Sequence, residues 1–116
     1  MKAVSSETFP KHLRIHNTLD FKRLFAHGSR SNLESVRVIT LDNNLGYPRL
    51  GIVASKKNLP KSVMRSKFKR AVREVFRKNK EYLDSKDYLV INLRKASDKG
   101  RLYKARDFEG YIKSIH

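Results

Sequence analysis

Between Lys61 and Lys80 the chain carries nine basic side chains, Lys61, Arg65, Lys67, Lys69, Arg70, Arg73, Arg77, Lys78 and Lys80, against one acid, Glu74. The chemistry such a run offers is the capture of phosphates. A guanidinium fork donates two parallel hydrogen bonds to an oxyanion and gives up less hydration free energy than an ammonium. Within the same stretch Met64, Phe68, Ala71, Val72, Val75 and Phe76 recur at spacings of four, three, one, three and one, the period of an amphipathic helix. At about 100° per residue, Lys69, Arg70, Arg73, Arg77 and Lys80 gather opposite the Met64/Phe68/Val72/Val75 stripe, with Arg65 and Lys67 on the flanks. One face anchors and the other binds, with Glu74 bracing Arg70 or Arg77 at helical spacing. Most charge runs are solvated faces, but those mix their signs, and nine against one costs stability unless a polyanion neutralises it. Lys56 and Lys57, at a strand end just before the helix, extend the same surface; taken alone they are solubilising lysines.

A second group with binding chemistry is Phe21 and Phe25, one helical turn apart. Two such rings can stack on unpaired bases, although a Phe pair at that spacing is more often core packing. His12 and His16 have i,i+4 spacing but no acidic ligand close by, so no zinc site is expected. His27 and His116 stand alone. Asp42, Asp84, Asp87 and Asp98 sit at turns, where local backbone hydrogen bonding accounts for them. There is no nucleophile–base signature and no glycine-rich phosphate loop. No catalytic residue and no metal ligand is therefore expected in this chain.

The elements that position these groups are legible from period and punctuation. Met1 to Arg14 is polar, contains Pro10 and reads as a loosely held arm, leaving residues 15–116 as one domain. Asn17 and Asp20 have the spacing of a capping box, and a helix over about Thr18 to Ala26 stops at Gly28. Val36–Leu41 and Arg49–Ser55 read as strands, joined through Asp42-Asn43-Asn44, Gly46 and Pro48 by a connection short enough for an antiparallel hairpin. The basic helix over Ser62 to Lys80 comes next. Tyr88–Arg94 is a further strand, and a last helix falls within Leu102 to Ile115. Helices and strands in this order predict an α+β sandwich, a sheet covered by helices.

Composition agrees. With 116 residues, 39% of them hydrophobic, the chain builds one modest core. A net charge of +16 and a pI near 10.4 make nucleic acid or an anionic membrane the expected partner. The absence of cysteine excludes disulfides, thiol nucleophiles and iron–sulfur clusters. No apolar run approaches membrane-spanning length and Met1–Pro10 lacks the pattern of a secretory signal, so the cytoplasm is the expected compartment.

The run Arg65-Ser66-Lys67-Phe68-Lys69-Arg70-Ala71-Val72-Arg73-Glu74-Val75-Phe76-Arg77, preceded by Arg49-Leu50-Gly51-Ile52-Val53-Ala54-Ser55-Lys56-Lys57, resembles the signature helix and preceding strand of the bacterial ribonuclease P protein subunit. That family's motif reads Arg-Asn-Arg/Lys-x-Lys-Arg-x-x-Arg-Glu. Asp20-Phe21-x-x-x-Phe25-x-x-Gly28 is similar to its first helix, and the resemblance covers about residues 15 to 115. It implies an accessory subunit of an endoribonuclease whose catalytic RNA removes the 5′ leader of precursor tRNA with Mg2+ held mainly by RNA, one protein to each RNA. It implies an αβββαβα-like order, a mostly antiparallel central sheet and a left-handed βαβ crossover, against the usual handedness. By the same resemblance Arg65, Ser66, Lys67, Lys69, Arg70, Arg73 and Arg77 fall on the RNA-binding helix, and Phe21, Phe25, Lys56 and Lys57 on the cleft for the leader. Ser66 replaces the family's Asn, keeping a hydroxyl but losing an amide that both donates and accepts. Pro60 stands where a Gly is common. Size and charge alone would also fit a ribosomal or RNA-assembly protein without catalysis; a duplex-DNA binder lacks a groove-reading motif here.

Overall fold

The computed structural model describes residues 11–15, 17–93 and 106–115. Helix α1 (Thr18–His27) opens where the sequence places it: Asn17 accepts a hydrogen bond from the Leu19 amide at 2.8 Å. It closes at Gly28, though not in the left-handed conformation of a glycine stop, since φ is −73°. A Cβ at Gly28 would run into the Ile39 side chain and the Leu24 carbonyl, so the residue is small because the helix end passes against the sheet. The chain then enters β1 (Ser29–Asn32), followed by β2 (Val36–Asp42), β3 (Arg49–Val53), α2 (Ser62–Asn79), a 3-10 turn at Lys80–Tyr82, β4 (Lys86–Asn92) and α3 (Arg106–Ser114). The part of the expected last helix over 102–105 lies outside the described residues, as do residues 1–10 of the expected arm.

The strands lie in the order β1-β2-β4-β3, antiparallel except for the parallel pair β3–β4. This corrects the expected hairpin: β2 and β3 are not neighbours, and β4 lies between them. The physical reason lies in the connection and in β4 itself. Asn43 donates through Nδ2 to the Tyr47 carbonyl and to Asp87, its Oδ1 accepts from Ser85 Oγ, and the Gly46 amide donates to Ser85 Oγ at 2.8 Å. The connection is thereby stitched to the turn that starts β4. Tyr88-Leu89-Val90 is buried on both faces, which suits a central strand.

One face of the sheet, built from Val36, Val38, Leu50, Tyr88 and Val90, packs under Phe68, Val72 and Phe76 of α2 and Phe108 and Ile112 of α3. Ser35 fixes the start of α3, its amide and hydroxyl both donating to Asp107 Oδ2 at 2.8 and 2.6 Å. On the other face Ile39 and Leu89 meet Leu24 of α1 and Ile15, with Phe21, Leu41, Val53 and Ile91 half-buried around them. The helices thus take both faces. The outer edge of β3 is covered by the chain before α1: the Ile15 amide donates to the Leu50 carbonyl at 2.9 Å, and Arg14 bridges Leu50 in parallel. Among the described residues no helix is long and apolar enough to cross a membrane.

Candidate nucleic-acid interface

Helix α2 buries Phe68, Val72 and Phe76 completely, a stripe that forces the basic residues between them outward. Its outward face and the chain along the β3 edge enclose an open groove of about 520 Å³, lined by Arg14, Ser66, Lys69, Arg70, Arg73, Glu74 and Arg77. A smaller groove of about 130 Å³ adjoins it, lined by Arg14, Ile15, Phe21, Leu50, Gly51, Ile52, Lys69 and Arg73. Arg14, Lys69 and Arg73 belong to both. A cationic helix face therefore leads without a break to an apolar strand edge with one aromatic ring on it. At Gly51 a Cβ would stand 3.1 Å from Phe21 Cε1 and 3.2 Å from Leu89 Cδ1, so the glycine lets the ring sit down on the strand.

The charges along the groove are unevenly compensated. Glu74 pairs with Arg77 rather than Arg70, accepting from Nε at 3.2 Å and Nη2 at 2.5 Å, and this pairing holds its carboxyl below the usual carboxylate range. Lys78 reaches the same carboxylate at 3.9 Å. Arg73 is different: its Nε is buried and has no hydrogen-bond partner among the described residues. Burial first, and the charge of Arg14 second, push its guanidinium below the ordinary arginine range. The free protein thus keeps a partly desolvated cation facing another cation, the arrangement expected of a site that waits for an anion.

Five of the seven residues expected on the helix motif, Ser66, Lys69, Arg70, Arg73 and Arg77, meet in the larger groove. Arg65 and Lys67 lie outside its lining. Arg65 Nη1 donates to the Leu59 and Pro60 carbonyls at 2.8 and 3.0 Å, clasping the loop that enters the helix. Of the four residues expected at the cleft, Phe21 is half-buried on the smaller groove, whereas Phe25 is exposed and outside its lining. Lys56 and Lys57 are exposed on the turn after β3, also away from both linings. That turn is fixed, with the Leu59 amide donating to the Ser55 carbonyl and Asn58 Nδ2 to the Asn92 carbonyl.

Arg14 is the groove residue that sequence reasoning missed, because by composition it reads as part of the arm. The signal was the alternation Leu13-Arg14-Ile15, in which both apolar neighbours turn out to be buried. His12 sets its ring edge-on to Tyr47 at 5.4 Å. Among the described residues no group of three His, Cys, Asp or Glu side chains comes together to hold a metal ion.

Comparison with known proteins converges on one family. The family model described as Ribonuclease P matches residues 9–116. The ribonuclease P protein component of Aliivibrio fischeri is 36% identical over 90 residues, 78% of this chain and 77% of that protein. The component from Chromohalobacter salexigens is 38% identical over 89 residues, 76% and 70% of the two chains. Among solved structures, the RNase P protein of Staphylococcus aureus superposes with a TM-score of 0.75 at 30% identity, covering 89% of this chain and 96% of that one. That of Thermotoga maritima, solved with 1-(4-fluorophenyl)-2-thiourea, gives 0.72 at 34% identity, with 84% and 94% covered. Sequence match across nearly the whole chain and a shared backbone coincide, and the chain belongs to the ribonuclease P protein family.

Proposed function

We propose that this chain acts as the protein subunit of ribonuclease P, binding the catalytic RNA through the exposed face of α2 and steering the 5′ leader of precursor tRNA along the adjoining groove. The observation that carries this reading is the continuity of the two grooves through Arg14, Lys69 and Arg73. Phosphates of folded RNA meet Lys69, Arg70 and Arg73, where charge-assisted hydrogen bonds replace the repulsion present in the free protein. A single-stranded leader needs what the smaller groove offers, cations for its backbone and a flat apolar surface for a base, here the Phe21 ring over Leu50–Ile52. Phe25, Lys56 and Lys57 would act further along the leader, outside the groove proper.

Cleavage itself belongs to the RNA in this reading. In this reading no step of the cleavage runs through an ion held by this chain's side chains. The Mg2+ of the reaction is held mainly by RNA, with one protein to each RNA, and the protein's contribution is neutralising charge and positioning substrate. Membership of the family favours this role over that of a ribosomal or assembly protein.

Reconstitution tests it. Adding the chain to ribonuclease P RNA is expected to lower the magnesium needed for leader removal and to raise affinity for leader-bearing over mature tRNA. Tight association with ribosomal RNA and no effect on leader removal would overturn it.

A further inference from the structure

Helix α1 is thinly anchored. Leu24 is its only fully buried residue, while Leu19 and Phe25 are exposed. It nevertheless carries Phe21, the ring on which the smaller groove depends. Beside Phe21 stands Asp20, which the sequence casts as a capping residue but which turns instead to Arg49 of β3. Arg49 grips Asp87 of β4 with two hydrogen bonds, Nε to Oδ1 and Nη2 to Oδ2, each 2.7 Å, and the same Nη2 reaches Asp20 Oδ2 at 3.3 Å. All three side chains are more than four-fifths buried. The bonds to Asp87 and the nearby carboxylates hold the Arg49 guanidinium above its ordinary range, so it stays charged. Asn43 occupies the remaining side of Asp87 at 3.0 Å, which leaves Asp20 as the movable partner.

We infer that Asp20 is a positioning residue for substrate: the Asp20–Arg49–Asp87 clamp ties α1 to the edge of the sheet and so sets the height of the Phe21 ring over Gly51. The inference rests on the reading of the smaller groove as the leader's path. The ion pair is partly buried and charge-assisted, so its removal is felt as greater freedom of one helix rather than as unfolding. Arg49→Lys has one compact ammonium for two carboxylates; it keeps Asp87 and releases Asp20, and is expected to behave as Asp20→Asn does.

The experiment uses holoenzyme reconstituted with ribonuclease P RNA and five proteins: unaltered, Asp20→Asn, Arg49→Lys, Phe21→Ala and the Asp20→Asn/Phe21→Ala pair. The readouts are affinity for leader-bearing against mature tRNA, and amide exchange of α1 in the protein alone. Asp20→Asn and Arg49→Lys are expected to speed exchange in α1 relative to β4 and to lower the precursor-to-mature preference about three- to five-fold, with mature tRNA affinity unchanged. In the Phe21→Ala background Asp20→Asn is expected to add nothing to the loss of preference. Additive losses, or faster exchange without any change in preference, would overturn the positioning role. Unchanged exchange would remove the clamp even where Phe21→Ala lowers the preference, and a Phe21→Ala protein with full preference would remove the leader path and this inference with it.

Discussion

Replacing Arg73 by Met separates binding from folding because the two respond in opposite directions. The thioether chain keeps an apolar stem of similar length at this half-buried position and removes only the guanidinium. In the free protein that group is partly desolvated, has no partner for its buried Nε among the described residues, and faces Arg14; its lowered proton affinity means that the fold tolerates the charge rather than profits from it. Removing such a charge is expected to stabilise the free chain by about 0.5–1 kcal/mol, raising the melting temperature by roughly 2–6 °C for a domain of this size. In the proposed reading the same group would gain a phosphate on RNA. A charge-assisted hydrogen bond of this kind contributes about 1.5–3 kcal/mol, so affinity for ribonuclease P RNA is expected to fall roughly ten- to hundred-fold. The slope of log K against log salt should flatten by about 0.7–0.9 for the one phosphate that Arg73 no longer neutralises. Thermal melts followed by circular dichroism and filter binding over a salt series measure both effects, with Lys78→Met, exposed and outside the groove lining, as the comparison. A lower melting temperature together with an unchanged salt slope would refute the argument, because Arg73 would then be a packing residue and not a waiting anion site.

Three further sets of substitutions test the scaffold. Tyr88 buries a hydroxyl with no hydrogen-bond partner among the described residues, and burial, with the Asp84 charge second, pushes its phenol up to about 12. The folded state therefore keeps a proton that the unfolded chain releases near 10, so this contribution is whole below pH 10 and lost as pH rises through about 12. Tyr88→Phe should leave stability at neutral pH unchanged or raise it by about 1 kcal/mol and flatten the alkaline decline; a comparable loss at neutral pH would contradict the structure. Gly28→Ala should cost about 1–3 kcal/mol by collision with Ile39 and the Leu24 carbonyl. Gly46→Ala, in open space at φ +87°, should cost about 1 kcal/mol through backbone strain alone, and chemical denaturation ranks the two. Arg65→Ala should speed amide exchange at Asn58 and Leu59 while flattening the RNA salt slope less than Arg73→Met does, because its Nη1 is committed to the Leu59 and Pro60 carbonyls. A larger flattening would make Arg65 a phosphate ligand in the first place.

The parts of this molecule that were legible in the sequence are those where one local signal decides the outcome. Met64 to Phe76 repeats at helical period over several turns, so both the existence of α2 and the direction of its cationic face follow from spacing. Asn17 caps α1 because its side chain serves an amide two residues on. What was not legible depends on partners far along the chain. β1 is Ser-Arg-Ser-Asn, with no apolar alternation, and becomes a strand only because β2 offers it an edge. The β2–β3 connection has turn residues that fit a hairpin, yet Asn43 and Gly46 are each also bonded to Ser85, some forty residues away. Arg14 reads as part of a polar arm until Leu50 supplies the strand edge beside it. Asp20 satisfies a capping pattern and has Arg23 at i,i+3 on its own helix, but its hydrogen bond to Arg49 depends on a strand far along the chain.

The strand order that the sequence did not reveal is also what assembles the site. Had β2 and β3 formed a hairpin with β4 beyond, β3 would be bonded on both sides and the Leu50 carbonyl would have no room for Ile15. With β4 in the centre, β3 becomes an edge, the chain before α1 can lie along it, and Arg14 is delivered there. The connection from β3 back to a parallel β4 must then cross a face of the sheet, and that connection is α2 itself. Packing Phe68 and Val72 against Leu50 and Val90 brings Lys69 and Arg73 to the same edge. Topology thus gathers cations from two distant segments at one strip of backbone, where Glu74, the carboxylate in the lining of the larger groove, is paired with Arg77. A fold that concentrates like charge there gives up stability in isolation, and a polyanion restores it on binding, which makes the energetic cost of the groove and its affinity for RNA two consequences of one arrangement.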